Sequence, residues 1–210
     1  MPKLARLRYC VGVPRTIDQH QRRTEIAEAV WRLIMREGVS AVSLRTVAAE
    51  AGIVLGSLRH TFPAKDDLLA FSMELVNARA TERVRSHLGA REPRALVRAM
   101  LSEVMPLDPE RMAEMRVNLA LIVESPAYPR LAGLALIAQQ AVGGLCLEAC
   151  RHLQDTGLVH ADRDVVAEGQ RLHALLDGIA MHLVVEPAGT DDALSALDRH
   201  LDELAGPPTA

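Results

Sequence analysis

The sequence predicts an all-α fold of about nine helices, a small N-terminal unit followed by a larger helical body. Three observations carry that expectation. Apolar residues make up 49 % of the 210-residue chain but aromatics only 2 %, so strand-favouring side chains are scarce beside Ala, Leu, Arg and Glu. Apolar positions recur at helical spacing, with no period-two alternation. Gly and Pro punctuate the periodic segments.

Taken in order, residues 1–15 carry Lys3, Arg6, Arg8 and Arg15 without helical period and read as a flexible basic arm. A long helix starts near Thr16; Ile26, Ala27, Val30, Leu33 and Ile34 mark its apolar face, and Gly38 closes it as a C-terminal glycine should. Ser43 stands as an N-cap before a short helix, residues 44–51, closed by Gly52. A three-residue turn leads to a second short helix, 56–62, ended by Pro63. Asp66 and Asp67 fall in the first turn of the next helix, where the macrodipole favours negative charge. That helix continues through Leu68, Leu69, Phe71, Leu75 and Val76 to about Leu88. Further breaks at Pro93, Pro106, Pro109, Pro126, Pro129, Gly157 and Pro187 leave helices near 92–104, 109–124, 127–156, 163–185 and 190–205. Residues 16–65 form the expected N-terminal domain and 66–205 the body, with a disordered tail at 206–210.

The net charge of −3 hides an asymmetry. Residues 1–65 hold 11 Lys/Arg against 5 Asp/Glu, whereas residues 66–210 hold 13 against 22. A basic N-terminal third on an acidic body is the layout of a nucleic-acid-binding segment joined to another module; a chance fluctuation of surface charge is the competing reading. The cysteines are odd in number, and Cys146 and Cys150 lie one helical turn apart in an apolar segment. Reduced, buried thiols in a cytoplasmic compartment fit that pattern. With His152 they lack the fourth partner and the CxxC pair of a zinc site, so no metal or cofactor is expected. No signal segment and no run of about 18 uninterrupted apolar residues is visible. A soluble chain without a membrane partner is expected.

Two short helices joined by a tight turn match a helix-turn-helix, whose second helix enters the major groove of DNA. Val47, Ala48, Ala51, Ile53 and Leu58 supply its small apolar interior, and Gly52 tolerates the positive φ of the turn. The stretch GVSAVSLRTVAAEAGIVLGSLRHTFPAKDDLL resembles the N-terminal signature of the tetracycline-repressor (TetR) family. The segments PRTIDQHQRRTEIAEAV and LLDGIAMHL…HLDEL look similar to the choline-sensing, BetI-type branch of that family. The resemblance implies that Ser43 caps the second helix and donates to a phosphate, and that Arg45 reaches DNA. It also implies that Gly56, Ser57, Arg59, His60 and Thr61 face the groove while Lys65 neutralises a phosphate. Three positions depart from the family pattern. Arg59 stands where Tyr is usual and Thr61 where His is usual. Val54 replaces a Ser or Thr cap, leaving the first amides of the recognition helix to phosphate or water.

The resemblance also implies dimerisation through the last two helices. Leu172, Leu175, Leu176, Ile179 and Leu183 form one apolar stripe, with Gly178 permitting close approach, and Leu194, Leu197, Leu201 and Leu204 form another. Two such stripes from each of two chains would close a four-helix bundle and present two recognition helices to a palindrome. In the body, Met112, Met115, Leu119 and Ile122 make a pliable apolar face interrupted by Asn118, which needs a partner if buried. Arg116, Glu124, His152, His173 and Asp177 are further polar candidates; solvated or satisfied helix positions are the plainer reading, and His173 and Asp177 suit a mutual i, i+4 pair. Choline-like cations are held in aromatic cages, yet Tyr9, Trp31, Phe62 and Phe71 lie in or beside the N-terminal unit and only Tyr128 in the body. A moderately hydrophobic effector is therefore expected. Together these features predict a ligand-responsive repressor that binds an operator in double-stranded DNA as a homodimer, and not an enzyme. The rival reading, a helical small-molecule-binding protein or enzyme without regulatory role, finds no nucleophile elbow, metal spacing or phosphate loop to stand on.

Overall fold

The computed structural model describes residues 15–89 and 92–206. The basic arm other than Arg15, and tail residues 207–210, lie outside them. The described chain is helical: α1 (Arg15–Glu37), α2 (Leu44–Glu50), α3 (Leu55–Thr61), α4 (Lys65–Ser86), α5 (Pro93–Ser102), α6 (Pro109–Glu124), α7 (Pro129–Asp155), α8 (Val165–Val185) and α9 (Thr190–Ala205). Local chemistry sets the boundaries. Gly38 and Gly52 take φ of 82° and 65°, the left-handed region open to glycine, so α1 and α2 stop where the next element must turn away. Ser43 and Thr46 cap α2 reciprocally: the Ser43 hydroxyl accepts the Thr46 amide at 3.1 Å, and the Thr46 hydroxyl accepts the Ser43 amide at 2.9 Å. Glu92, Asp108 and Asp164 accept first-turn amides of α5, α6 and α8, as side-chain oxygens at N-caps do.

Two cores organise the molecule. The first gathers α1, α2, α3 and the N-terminal half of α4, and draws in Val117 and Leu121 of α6 and Leu131 of α7. Phe62 and Phe71 meet there with ring centroids 5.4 Å apart, and the Arg23 guanidinium lies over both rings. Trp31 donates its indole N–H to the Ser72 carbonyl at 3.3 Å. The second core joins α5, α7, α8 and α9 with Met105, Met112 and Val159, and holds no aromatic side chain among the described residues. Because Leu68, Leu69, Phe71, Met73, Leu75 and Val76 complete the first core, a domain boundary at residue 65 cuts α4 from the elements it stabilises.

Most side chains of the expected dimer face are already covered within the single chain. Leu172, Leu176, Ile179 and Leu183 of α8, with Leu197 and Leu201 of α9, are at most 7 % exposed within the single chain; Leu175 and Leu194 are half-buried. The α9 stripe packs onto α5 and α8, fastened by Arg94 on Asp202 at 2.6 Å and Arg98 on Asp198 at 2.7 Å. An amphipathic stripe marks a buried face, but its period does not say whether the cover is the same chain or another. Gly178 likewise meets nothing within 4 Å, whereas a Cβ on Gly169 would lie 2.9 Å from the Leu147 Cα. On α7, α8 and α9, the large apolar groups left in solvent are Leu136 and Ile137 of α7 and Val166, Met181 and Val185 of α8; others stand exposed elsewhere, Val123 and Leu88 among them. One 18-residue window of α7 has a mean hydropathy of 1.4 with 11 % of it buried, so by length and composition α7 is apolar enough to cross a membrane.

Candidate nucleic-acid interface and ligand cavity

The helix-turn-helix is built around Val47 and Leu58, both fully buried, and Ala48, which lets α2 and α3 approach. Burying that side of α3 turns Gly56, Arg59 and His60 outward, and Arg45 of α2 is exposed as well. The remaining expected contact residues have partners within the chain. The Ser57 hydroxyl accepts from Arg22 of α1 at 2.6 Å. Half-buried Thr61 donates to the Ser57 carbonyl at 3.3 Å. Lys65 donates to the Val39 carbonyl at 3.3 Å, which ties the start of α4 to the turn after α1. Ser43 is occupied by its cap. Val54 sits at the N-cap of α3 without a side-chain cap bond and is 75 % exposed, leaving the leading amides of α3 to solvent or an anion. Arg22 was not singled out in the sequence; the Gln-Arg-Arg run of α1 was its only signal. Arg32 and Arg36 of α1 brace α2 through Glu50, at 2.8 and 3.0 Å, and their hydrogen bonds hold its carboxyl below the usual range.

Behind this head, α4, α6, α7 and α8 enclose an open cavity of about 660 Å³. Met115, Asn118, Leu119 and Ile122 of α6 and Asp177 of α8 line it. Five expected residues, Met112, Arg116, Glu124, His152 and His173, do not. Met112 is buried in the second core. Arg116 turns to the Val184 carbonyl at 3.4 Å. His173 stands over Gly143, with Nε2 3.8 Å from Asp177. The sequence reading missed the α4 wall, Val76, Asn77, Ala80, Thr81 and Val84, and the α7 wall at Ala138, Val142 and Leu145. Their legible signal was small and apolar residues spaced along VNARATERV and its α7 counterpart. Glu114, also on the wall, is 3 % exposed and has both carboxylate oxygens on Arg83, at 3.2 and 2.6 Å. The Asn118 Oδ1 is shielded from water and has no hydrogen-bond partner among the described residues.

Head and cavity share α4. Arg130 of α7 grips the head-side half of α4 through Asp67 at 3.1 Å and Glu74 at 2.9 Å. Arg79, in the middle of α4, pairs with Glu28 of α1, lies over the Trp31 ring, and is 3.7 Å from Glu110 of α6. Cys146 and Cys150 sit in the second core, where burial pushes their thiols up to about 12 and about 11; they remain protonated and unreactive.

A helix-turn-helix head with an outward basic recognition helix, joined through one helix to a hollow helical body, defines a DNA-binding transcriptional regulator. The chain belongs to the TetR family: "Bacterial regulatory proteins, tetR family" matches residues 26–70 and "BetI-type transcriptional repressor, C-terminal" matches residues 93–206. It is 35 % identical to the HTH-type transcriptional regulator PksA of Bacillus subtilis (strain 168), covering 83 % of this chain and 84 % of that one. The HTH-type transcriptional regulator BetI of Burkholderia mallei (strain NCTC 10229) is 30 % identical, over 89 % of this chain and 94 % of the relative. Among solved structures, a putative transcriptional regulator from Saccharomonospora viridis in complex with choline superposes with a TM-score of 0.77 at 25 % identity, covering 87 % of this chain and 96 % of that one. These relatives are regulators, not enzymes.

Proposed function

We propose that this chain is a cytoplasmic repressor that binds a palindromic operator as a homodimer and is released by a small molecule in the body cavity. The observation that carries the reading is the outward face of α3, Gly56, Arg59 and His60, on a scaffold that buries Leu58 completely. Arg59 would pair with guanine O6 and N7, Arg45 and Lys65 with phosphates, and Ser43, Ser57 and Thr61 would exchange their internal partners for the duplex. The second copy would cover exposed apolar groups of α7 and α8, among them Leu136, Met181 and Val185, which a lone chain leaves in water.

An effector that fits the cavity better when α4 is displaced would shift the two recognition helices off operator spacing. Its leverage is its differential affinity for the two states, typically about 1–3 kcal/mol. Selection of bound duplexes from a random pool tests the DNA half of this reading. A pseudo-palindrome with half-sites about one helical turn apart is expected; recovery of sequences with no common motif would overturn it. Sedimentation of the chain and of a Met181→Asp variant tests the dimer. The first should run as a dimer and the second as a monomer, and a dimer that survives Met181→Asp would place the interface elsewhere.

A further inference from the structure

We propose that Arg22 of α1 is a DNA-contacting residue, closing with the Ser57 hydroxyl on one backbone phosphate beside the recognition helix. The inference rests on the reading of α3 as that helix and adds a residue from outside the helix-turn-helix. The arginines of α1 whose side chains are described are held in different ways. Arg32 and Arg36 are paired with Glu50, and half-buried Arg23 lies over the Phe62 and Phe71 rings. Arg22 is exposed and has no carboxylate partner among the described residues. Glu25, one turn further along α1, takes the Gln21 side-chain amide instead, at 3.0 Å. The positive charge of Arg22 is therefore left uncancelled at the edge of the outward α3 face, where its Nη2 donates to the Ser57 Oγ at 2.6 Å.

A serine hydroxyl carries one proton and two lone pairs. Arg22 uses a lone pair of Ser57, and the proton has no acceptor among the described residues. Two donors thus stand 2.6 Å apart. A phosphate oxygen is the acceptor in a duplex that answers both, since it is anionic and takes charge-assisted bonds from guanidinium and hydroxyl together. On binding, the hydroxyl would exchange Arg22 for the phosphate and the guanidinium would follow it, so neither donor has far to move. A purely structural role suits the pair poorly. The bond is exposed, water competes for both groups, and a long arginine must be ordered to make it. Base reading suits Arg22 less as well, because it stands on α1 while Gly56, Arg59 and His60 occupy the outward face of α3.

An operator duplex recovered from the random pool, titrated with the full chain across a salt series, tests the clamp. Arg22→Gln is expected to weaken binding about tenfold per half-site, equally on operator and unrelated duplex, and to lower the salt slope by about one per half-site. Arg22→Lys, which keeps the charge, should retain most of the slope. Operators in which single phosphates are replaced by methylphosphonate locate the contact. One position per half-site should weaken the parent chain and leave Arg22→Gln unaffected. Ser57→Ala, which leaves α1 untouched, should lose about threefold and respond less to that position, so the clamp is testable even if Arg22→Gln fails to fold. An unchanged salt slope in Arg22→Gln would overturn the inference. So would a loss confined to particular base sequences, or a methylphosphonate map identical in parent and variant. If no operator is recovered, the reading of α3 fails and the clamp with it. An operator bound with full sequence preference by an Arg22→Gln chain of unchanged slope would sink the clamp alone.

Discussion

From Leu68 to Val76, α4 lies among aromatic and branched side chains and is buried at every position except Glu74. From Asn77 to Arg85 the same helix presents Ala80, Thr81 and Val84 to a cavity. The first half belongs to a close-packed head holding Trp31, Phe62 and Phe71; the second borders a body filled by Leu, Met, Val and Cys. The difference teaches how one chain can be both reader and sensor. A dense core transmits strain, so under the proposed mechanism a tilt imposed on α4 at the cavity would be passed to α3. A ligand filling the open wall beside Ala80, Thr81 and Val84 would be the source of that tilt.

The contrast is broken most severely by emptying the head. Phe62→Ala removes a fully buried ring packed at a tilt against Phe71 and should cost about 3–5 kcal/mol in urea unfolding and abolish DNA binding. Met115→Ala on the cavity wall should cost less than about 1 kcal/mol, because it opens no new void. Equal losses would show that head and body are packed alike. Next comes the wedge between α7 and α8. Gly169→Ala forces a methyl against the Leu147 backbone and should lower stability by about 1–3 kcal/mol in thermal melts, whereas Gly178→Ala, with open space around it, should raise it by up to about 1 kcal/mol.

A third test sharpens the comparison by separating stability from coupling. Arg130→Ala removes two ion pairs of substantially exposed groups between α7 and α4, so unfolding should change by less than about 1 kcal/mol. The loss of operator affinity on adding a cavity ligand should shrink in the same variant; unchanged coupling would remove Arg130 from the linkage. The smallest effect is the acid response of the joint between α5 and α9. The Arg98 hydrogen bond, aided by Arg94, holds the Asp198 carboxyl below its usual range. A depressed folded-state value means this contribution is present above the ordinary aspartate value of about 3.9 and fades as pH falls through the lower folded value. Asp198→Asn should flatten that part of the acid-unfolding curve.

The head was legible in the sequence because its geometry is written locally. Gly38 and Gly52 supply positive φ where the chain must turn, Ser43 caps the helix beside it, and Val54 leaves α3 uncapped. The cavity was half legible. Met115, Asn118, Leu119 and Ile122 share one face of one helix, but the α4 and α7 walls are brought to them only by packing across long stretches of chain. The leucine stripes of α8 and α9 were legible as buried, but not that the same chain covers most of them. Periodicity records that a face is dry, and the α5–α9 contact that dries it joins segments about a hundred residues apart.

Sequence-specific reading by α3 is measured by anisotropy titration of labelled DNA from upstream of the chain's own gene, repeated across a salt series. Tight binding by a dimer is predicted, with affinity falling as salt rises. It should lose about 1–3 kcal/mol of discrimination over mismatched duplex in Arg59→Ala and weaken on all sequences alike in Lys65→Ala. Weak binding that ignores sequence, vanishes at moderate salt and is unaffected by Arg59→Ala would contradict it.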